Sequence, residues 1–309
     1  MNFLKRVALL VTLFLIMAAS ALVYAKITHT LLVFDSGNQA QLPERFRTSN
    51  DALPDNIKLS KEGLATLHIA GSRQFSEKSL IAALNKIPAR DVVVVDLRRE
   101  SHGLLNGHAV SWYGPQNAAN EDKTETQIHA GELRLLARLQ KSHYRWVYQI
   151  IEKTKDDYVD KTKRDFVLVD KVRGEQALVV ANKLGYERFY VEDFHAPDDA
   201  SVDRFVGFAK TVPATTWLYF HCRAGRGRTT TFMAMYDMFK NAKTLSFDEI
   251  IKRQAALGGT NLDQLPDKGS FKYRFAEDRL AFLRGFYQYI KENNDDYSTR
   301  WTEWRNRLS

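Results

Sequence analysis

Residues 217–233 read WLYFHCRAGRGRTTTFM: an apolar run that ends at the only cysteine, Cys222, then a glycine-containing loop and a helical pattern. The apolar run predicts a buried strand. A loop with two glycines between a strand and a helix can curl until its backbone N–H groups point inward, and the helix N-terminus adds further donors. The segment therefore predicts a socket for a phosphate group.

The residues of this loop suit phosphoryl transfer. Inward N–H groups and Arg228 favour the thiolate of Cys222, which we predict to be the nucleophile. The planar guanidinium of Arg228 matches two phosphate oxygens. We expect Thr229 to offer its hydroxyl to the sulfur and His221 to hydrogen-bond within the loop. The remaining loop residues are predicted to bind the phosphate: Arg223, Ala224, Gly225, Arg226 and Gly227.

A buried structural cysteine is the alternative interpretation, since that is the usual role of a lone Cys. With the composition of this chain, its cysteine would acquire the surrounding His, Gly, Gly and Arg by accident on the order of once in 10⁵ cases. The motif therefore favours a catalytic cysteine over a structural one.

Outward from this loop, strand-like runs alternate with helical patterns. Residues 91–97 (DVVVVDL) are typical of a strand buried on both faces of a parallel or mixed sheet. Ser246 and Glu249 form a capping box at the start of one helix. Further strands are predicted at residues 166–169, 189–191 and 217–220, and helices at residues 76–86, 125–140, 175–184, 201–210, 230–240, 247–257 and 272–291. This alternation predicts an α/β fold with a helical C-terminal layer.

Composition narrows the class of protein. Of 309 residues, 44% are hydrophobic and 27% charged, which excludes a disordered, collagen-like or coiled-coil chain. A single cysteine excludes an intramolecular disulfide and a thiolate metal cluster. His102 has no second His or Cys at ligand spacing, so we expect no metal and no cofactor. The formal net charge of +8 attracts anions of many kinds without choosing among them.

The N-terminus has the pattern of a secretory signal. Two basic residues precede an uncharged apolar run at residues 7–25, and small residues offer cleavage sites after Ala21 or Ala25. The run also reaches the length of a membrane span, so an uncleaved anchor is the alternative. We predict a signal peptide or anchor at residues 1–25 and a domain at residues 26–309 that is periplasmic or secreted.

The pattern His-Cys-x5-Arg-Thr resembles the signature loop of the protein tyrosine phosphatase superfamily. Other segments narrow the resemblance to the bacterial cysteine phytases, which are phosphatase-like enzymes acting on inositol polyphosphates: residues 45–48 (RFRT), 96–103 (DLRRESHG), 110–114 (VSWYG), 171–176 (KVRGEQ), 253–254, 258–259 and 272. The resemblance implies a phosphatase α/β domain over residues 26–309, a mixed sheet flanked by helices, with a small partial β-barrel subdomain inserted beside it.

A phosphatase loop needs a proton donor, because an alkoxide is a poor leaving group at neutral pH. Asp193 is the candidate, since its order and spacing before Cys222 resemble the mobile acid loop of the family. Glu192, Asp198 and Asp199 are the alternatives.

The resemblance also implies substrate-binding roles outside the loop. Three basic residues match positions that hold other phosphates in the phytases: Arg47, Lys171 and Lys272. His195 is expected to orient the substrate, although the phytases have a histidine directly after the acid, where this chain has Phe194. Asn117 occupies a position at which some phytases have an acid.

The predicted activity is metal-independent hydrolysis of a phosphate monoester through a phosphocysteine at Cys222. Arg223 and Arg226 bring the loop to three arginines, which suits a densely phosphorylated ring such as a myo-inositol polyphosphate. We therefore expect a small polyphosphorylated substrate, with no nucleic-acid partner, and no membrane partner unless the leader is uncleaved.

Three alternatives remain open from the sequence. A phosphoinositide, phosphotyrosine or dual-specificity protein phosphatase would share the loop. A binding module would keep the basic socket without turnover. An exported effector is compatible with the same chemistry.

Overall fold

The computed structural model describes residues 30–56 and 58–307, which form two β-sheets with helices packed around them. The predicted signal peptide or anchor at residues 1–25 lies outside the described residues. Within the described ranges, no helix is long and apolar enough to cross a membrane.

The elements follow one another along the chain as strands, helices and one 3-10 turn. The strands are β1 (Leu31–Ser36), β2 (Arg47–Thr48), β3 (Ile69–Arg73), β4 (Val92–Asp96), β5 (His102–Leu105), β6 (His108–Tyr113), β7 (Tyr144–Lys153), β8 (Val159–Leu168), β9 (Val172–Arg173), β10 (Gly185–Arg188) and β11 (Trp217–Cys222). The helices are α1 (Glu77–Leu84), α2 (Glu125–Gln140), α3 (Glu175–Ala181), α4 (Asp199–Thr211), α5 (Gly227–Asn241), α6 (Phe247–Ala256), α7 (Lys272–Glu292) and α8 (Trp301–Asn306), with a 3-10 turn at Pro115–Asn117.

The first sheet carries the phosphate-type loop. Its order is β10-β4-β11-β3-β2, in which β11 pairs in parallel with β3 and β4 while β2 is antiparallel to β3. Leu218 and Phe220 pack into the core formed with α5 and α6, whereas Trp217 and Tyr219 pack on the opposite face against α1 and α3. The continuous apolar run of β11 is therefore buried on both sides, and its last residue, Cys222, lies at the carboxyl edge of the parallel strands.

The second sheet has the order β8-β7-β1-β6-β5-β9. Strands β7 and β8 form a long antiparallel hairpin, and β1 joins β7 in parallel and β6 in antiparallel pairing. The sheet stands beside the first one, where the resemblance implies a small subdomain. Its closure into a partial barrel stays a prediction.

Local signals placed most helix boundaries correctly. Helix α2 spans the predicted residues 125–140, and the capping box of Ser246 and Glu249 opens α6 as predicted. Helix α5 begins at Gly227, three residues earlier than the pattern indicated, because the end of the loop is already helical. Gly258, just beyond α6, has a φ of +94°, a conformation that favours glycine.

Two strand predictions need correction. The strand predicted at residues 189–191 is wrong, since β10 ends at Arg188. Phe189 is apolar because it packs against Phe205 and Phe232 in the core, and the following residues lead into a loop. The strand predicted at residues 166–169 is the end of the longer β8, whose first half is exposed and charged and therefore lacks an apolar pattern.

Candidate active site

The loop after Cys222 forms a tight turn between β11 and α5. Gly225 has a φ of +68°, and a Cβ atom there would lie 2.3 Å from the backbone nitrogen of Arg73. Only glycine fits such a position. Helix α5 begins at Gly227 without a side-chain cap, so its first N–H groups are available to an anion. The predicted connection from strand through tight loop to helix is therefore present, and its binding of a phosphate stays a prediction.

A cavity of about 640 Å³ opens above this loop. Cys222 and Ala224 line it, and Phe194 and Phe275 form part of an aromatic wall. Seven cationic side chains line it: Arg45, Lys153, Arg223, Arg226, Arg228, Lys272 and Arg279. Asp157 and Asp193 are the acidic residues of the lining. This excess of positive charge complements a ligand that carries several negative charges.

Arg228 is held from below by a carboxylate that the sequence analysis did not identify as functional. Its Nη1 lies 2.7 Å from Oε2 of Glu100 and its Nη2 lies 3.0 Å from Oε1, a bidentate pair with both side chains buried. Burial alone raises the pKa of Glu100, but Arg228 and Arg98 outweigh it and hold that pKa well below its usual range. The guanidinium is therefore fixed before any ligand arrives, and its buried Nε has no partner among the described residues.

Asp35 connects the second sheet to the floor of the cavity. Its two carboxylate oxygens accept hydrogen bonds from Arg98 Nη2 at 2.9 Å and from Arg223 Nε at 2.7 Å. Arg223 also stacks over the ring of Tyr113, with 4.7 Å to the ring centroid. The side chain of Arg223 is thus aimed by residues on β1 and β6, which the sequence did not indicate.

His221 makes a different contact from the one predicted. Its Nε2 lies 2.7 Å from Oε1 of Glu175, at the start of α3, and its buried Nδ1 has no partner within the described part of the chain. The hydrogen bond seen for this imidazole therefore joins the loop to α3 rather than closing within the loop.

His102 lies behind His221 and shares the carboxylate of Glu175. Its Nε2 is 3.2 Å from Asp96 and 3.3 Å from Glu175. These three side chains have the spacing of a metal site. However, Asp96 already accepts a hydrogen bond from Tyr186 and pairs with Arg188, and Glu175 accepts one from Gln74. Burial lowers the pKa of His102, but Asp96 outweighs it and raises that pKa to about 10, so the arrangement suits an imidazolium between carboxylates.

Asp193 reaches the cavity beside Arg228. Its Oδ1 lies 3.1 Å from Arg228 Nη2, and its Oδ2 accepts a hydrogen bond of 2.9 Å from Asn117 Nδ2. The backbone N–H of Phe194, a residue with a φ of +69°, also donates to Oδ1. The predicted acid is therefore held at both oxygens within reach of the loop.

The three alternative acids lie elsewhere. Glu192 pairs with Arg99 at 3.0 Å, and burial raises the pKa of Glu192 to about 7. Asp198 caps α4, and Asp199 accepts from Trp301. A raised pKa favours Glu192 as a proton donor, but a general acid must first lie within reach of the substrate. Of the four candidate acids, Asp193 is the one that lines the cavity.

The structure brings together only some of the other predicted residues. Lys272 lines the cavity. Arg47 is buried behind the loop, where it donates to the carbonyl oxygen of Gly225 and to Thr230 Oγ1. Lys171 lies in an exposed ion pair with Glu77, away from the cavity lining. Arg47 thus supports the loop from behind, and direct binding of phosphate by Lys171 stays a prediction.

Thr229 and His195 are also placed by the structure. Thr229 is fully buried, and its hydroxyl has no hydrogen-bond partner among the described residues. The His195 ring packs against Phe275 with its plane tilted by 58° and the ring centroids 4.4 Å apart, and His195 Nδ1 lies 2.9 Å from the carbonyl oxygen of Asp193. Phe194, rather than His195, lines the cavity, and Lys272 Nζ lies 5.0 Å from the centroid of the Phe194 ring. The roles predicted for Thr229 and His195 stay predictions.

Sequence reasoning missed a polar cluster on the cavity wall. Asp157 accepts from Tyr113 at 3.0 Å and from Lys153 at 2.8 Å, and Lys272 Nζ lies 3.4 Å from its other oxygen. Lys153 ends β7 and Asp157 lies in the turn of the hairpin. No motif singled out Lys153 and Asp157, because only the strand pairing of the second sheet brings the end of the β7–β8 hairpin close to the loop after Cys222.

A lone cysteine at the base of a basic socket, with a paired arginine and a carboxylate at its mouth, defines a site of the cysteine-phosphatase class. A family model for PTP-like phytases, which refers to inositol hexakisphosphate, matches residues 95–240. The PTP-like phytase of Bdellovibrio bacteriovorus is 33% identical, over 90% of this chain and 95% of that one, with a TM-score of 0.71. The chain belongs to the PTP-like phytase family.

Two further relatives are longer than this chain. The PTP-like myo-inositol phosphatase of Mitsuokella multacida, solved with myo-inositol-(1,3,4,5)-tetrakisphosphate, is 33% identical over 90% of this chain and 49% of that one, with a TM-score of 0.81. Effector protein hopD2 of Pseudomonas syringae pv. tomato is 32% identical over 274 residues, 85% of this chain and 57% of that protein. The chain thus spans about half the length of these two relatives. The solved structures confirm the predicted α/β phosphatase fold.

Proposed function

We propose that this protein is a metal-independent phosphatase that hydrolyses myo-inositol polyphosphates through a phosphocysteine intermediate. The observation that carries the proposal is the cavity itself. Cys222, Arg228 and Asp193 all line it, Asp193 lies 3.1 Å from Arg228, and six further cationic side chains belong to the same lining. Such a site complements a substrate with many phosphates and gives one of them a nucleophile and an acid.

In the first step the Cys222 thiolate attacks phosphorus in line with the leaving oxygen. The bond from phosphorus to that oxygen breaks as the sulfur–phosphorus bond forms, and Asp193 gives the oxygen its proton. Arg228 and the loop N–H groups stabilise the charge on the equatorial phosphate oxygens. An incoming phosphate competes with Asp193 for the guanidinium of Arg228.

In the second step the Asp193 carboxylate takes a proton from water. The hydroxide oxygen bonds to phosphorus while the sulfur–phosphorus bond breaks, which releases inorganic phosphate and restores the thiolate. The buried hydroxyl of Thr229 has no partner among the described residues and follows Arg228 in the loop. Its role in this proposal is to donate a hydrogen bond to the departing sulfur.

The choice of an inositol polyphosphate rests on charge and on the relatives. Seven cationic side chains exceed what one phosphate requires. The matching family model refers to inositol hexakisphosphate, and the Mitsuokella relative was solved with an inositol tetrakisphosphate. Both point to a ring with several phosphates as the substrate class.

The decisive experiment measures phosphate release from inositol hexakisphosphate and from a phosphotyrosine peptide, each with EDTA present. We expect faster release from the inositol phosphate, and a loss of at least about 10⁴-fold in Cys222→Ser because the nucleophile is removed. Activity retained in Cys222→Ser would rule out the covalent route. Faster release from the peptide would assign the protein to the protein phosphatases instead.

A second candidate function is that of an exported effector that dephosphorylates a host molecule. The similarity to effector protein hopD2 favours it. Export itself is proposed from the leader at residues 1–25 and would place the enzyme in the periplasm or outside the cell. N-terminal sequencing of the mature protein from each cell fraction tests this, and a cytoplasmic protein that retains Met1 would contradict it.

A further inference from the structure

The turn that carries Asn117 is tightly fixed next to the proposed acid. It follows β6 as a short 3-10 turn in which Gln116 and Asn117 have φ values of 50° and 65°. Asparagine tolerates this left-handed conformation better than most residues. The Gln116 side chain donates to the carbonyl oxygen of Asp156 at 2.9 Å, which ties the turn to the β7–β8 hairpin. Asn117 itself is almost completely buried.

Asn117 contacts the acid directly. Its Nδ2 donates to Oδ2 of Asp193 at 2.9 Å, while Oδ1 of Asp193 faces Arg228 Nη2 and the backbone N–H of Phe194. The second end of the amide, Oδ1 of Asn117, is buried and has no partner within the described residues. One carboxylate oxygen therefore faces a cation, and the other faces an amide with an unused acceptor.

This difference decides where the acid carries its proton. A proton on the oxygen beside Arg228 would oppose the guanidinium, so the proton belongs on Oδ2. The protonated Oδ2 keeps lone pairs and can still accept the N–H of Asn117 Nδ2, which leaves its own O–H to donate to the leaving oxygen. After the proton has left, the same NH₂ group donates to the carboxylate.

We propose that Asn117 is a positioning residue that holds Oδ2 of Asp193 toward the leaving oxygen in both protonation states. The proposal rests on the proposed function, since it assumes that Asp193 is the general acid. Other charged or titratable groups near Asp193 are Arg228 and Arg279 from the helices, and Tyr113 and Lys153 from the second sheet. Asn117 is the uncharged side chain that hydrogen-bonds to the carboxylate of Asp193 within the described residues.

The test compares two substrates that differ in their need for a proton. Inositol hexakisphosphate expels an alkoxide-like oxygen, whereas p-nitrophenyl phosphate expels a stabilised phenolate that needs little protonation. In Asn117→Ala we expect kcat/KM on inositol hexakisphosphate to fall about 10- to 100-fold, and kcat/KM on p-nitrophenyl phosphate to change by less than about threefold. The value of kcat/KM reports the steps up to phosphoryl transfer to Cys222, so the second step that both substrates share does not enter it. Equal losses on both substrates would overturn the proposal.

Asn241→Ala is the matched control. Asn241 is also buried and donates to an aspartate, Asp237, at 3.0 Å, on the far part of α5. Its loss removes a comparable hydrogen bond without touching Asp193. We expect the ratio of the two kcat/KM values to stay at that of the wild type in this variant. A shifted ratio would show that the ratio reports general loosening of the protein.

Asn117→Asp keeps the shape of the side chain and tests the same contact by charge. Two carboxylates in contact share a proton, so the acid remains protonated to higher pH. The alkaline limb of the kcat profile on inositol hexakisphosphate should move up by about one pH unit or more. An unmoved limb would contradict the proposal. Wild type and Cys222→Ser, assayed in parallel, show separately whether the proposed function itself fails.

Discussion

The floor of the cavity, formed by Cys222, Arg228 and Glu100, is buried, whereas its rim, formed by Asp193, Lys153 and Lys272, is partly exposed. On the floor, charges are paired at short distances and removed from water, so their positions do not depend on a ligand. On the rim, the side chains keep contact with solvent, and Lys272 has a side-chain exposure of 45%.

This difference in burial separates the side chains that we expect to take part in the reaction from those that we expect to bind the substrate. A buried ion pair is costly to form, but it fixes Arg228 at the position that the proposed reaction requires, where charge develops on the transferring phosphoryl group. A half-exposed lysine contributes less to binding because water and salt screen it. We therefore expect floor substitutions to lower kcat and stability together, and rim substitutions to change KM or a single catalytic step.

The largest effect is expected from Glu100→Gln on the floor. The change removes the buried carboxylate that Arg228 and Arg98 share, which leaves Arg98 with Asp35 and Arg228 with only the partly exposed Asp193. This loss should lower the free energy of unfolding by about 3 kcal/mol. A misplaced Arg228 should lower kcat/KM on inositol hexakisphosphate on the order of 10³-fold. Urea unfolding and steady-state kinetics measure both.

Glu152→Gln serves as the control for Glu100→Gln. Glu152 forms an exposed ion pair with Lys161 at 3.2 Å, so its loss should cost less than about 1 kcal/mol and leave the kinetics unchanged. If Glu100→Gln behaved like this control, the floor would not depend on its buried carboxylate.

The second largest effect is expected from Asp193→Asn, on the part of the rim beside Arg228. We expect kcat on inositol hexakisphosphate to fall at least about 10²-fold, because the amide cannot donate an acidic proton. Stability should change little, since Asp193 is partly exposed. A near-wild-type rate would move the acid role to Glu192 or Asp198.

On the rim, Lys272→Gln should raise KM for inositol hexakisphosphate about tenfold with little change in kcat. Lys272 lines the cavity and pairs only loosely with Asp157, so the substrate is its stronger partner. Lys171→Gln is the matched comparison, because Lys171 lies outside the lining. A larger KM change in Lys171→Gln would show that the substrate extends toward Glu77.

The smallest effect concerns Glu192, next to the acid. Burial raises the pKa of Glu192 from an ordinary value of about 4.5 to about 7. Its contribution to stability is full below the ordinary value and is lost as pH rises through about 7. Relative to Glu192→Gln, the wild type should therefore lose stability between mildly acidic and mildly alkaline pH.

Thermal melting across that pH interval measures the effect of Glu192. Glu303→Gln, which changes an exposed carboxylate, should follow the wild type throughout. Parallel melting curves for wild type and Glu192→Gln at all pH values would show that Glu192 titrates normally.

The sequence predicted correctly those features that are formed by residues close together along the chain. The strand, the turn at Gly225 and the start of α5 lie within a few residues of one another, so their pattern is visible in residues 217–233. The capping box before α6 is local in the same sense. The strand expected at residues 189–191 failed because Phe189 is apolar for reasons of core packing rather than sheet pairing.

The sequence by itself determined the loop that follows Cys222, the α/β alternation and the family resemblance, because each depends on neighbouring residues. Only the tertiary structure decided what holds that loop and its acid. Glu100 lies 128 positions from Arg228, and Asn117 lies 76 positions from Asp193. Parallel strands with long crossovers bring such residues to one edge of the sheet, and no spacing along the chain records which of them will meet.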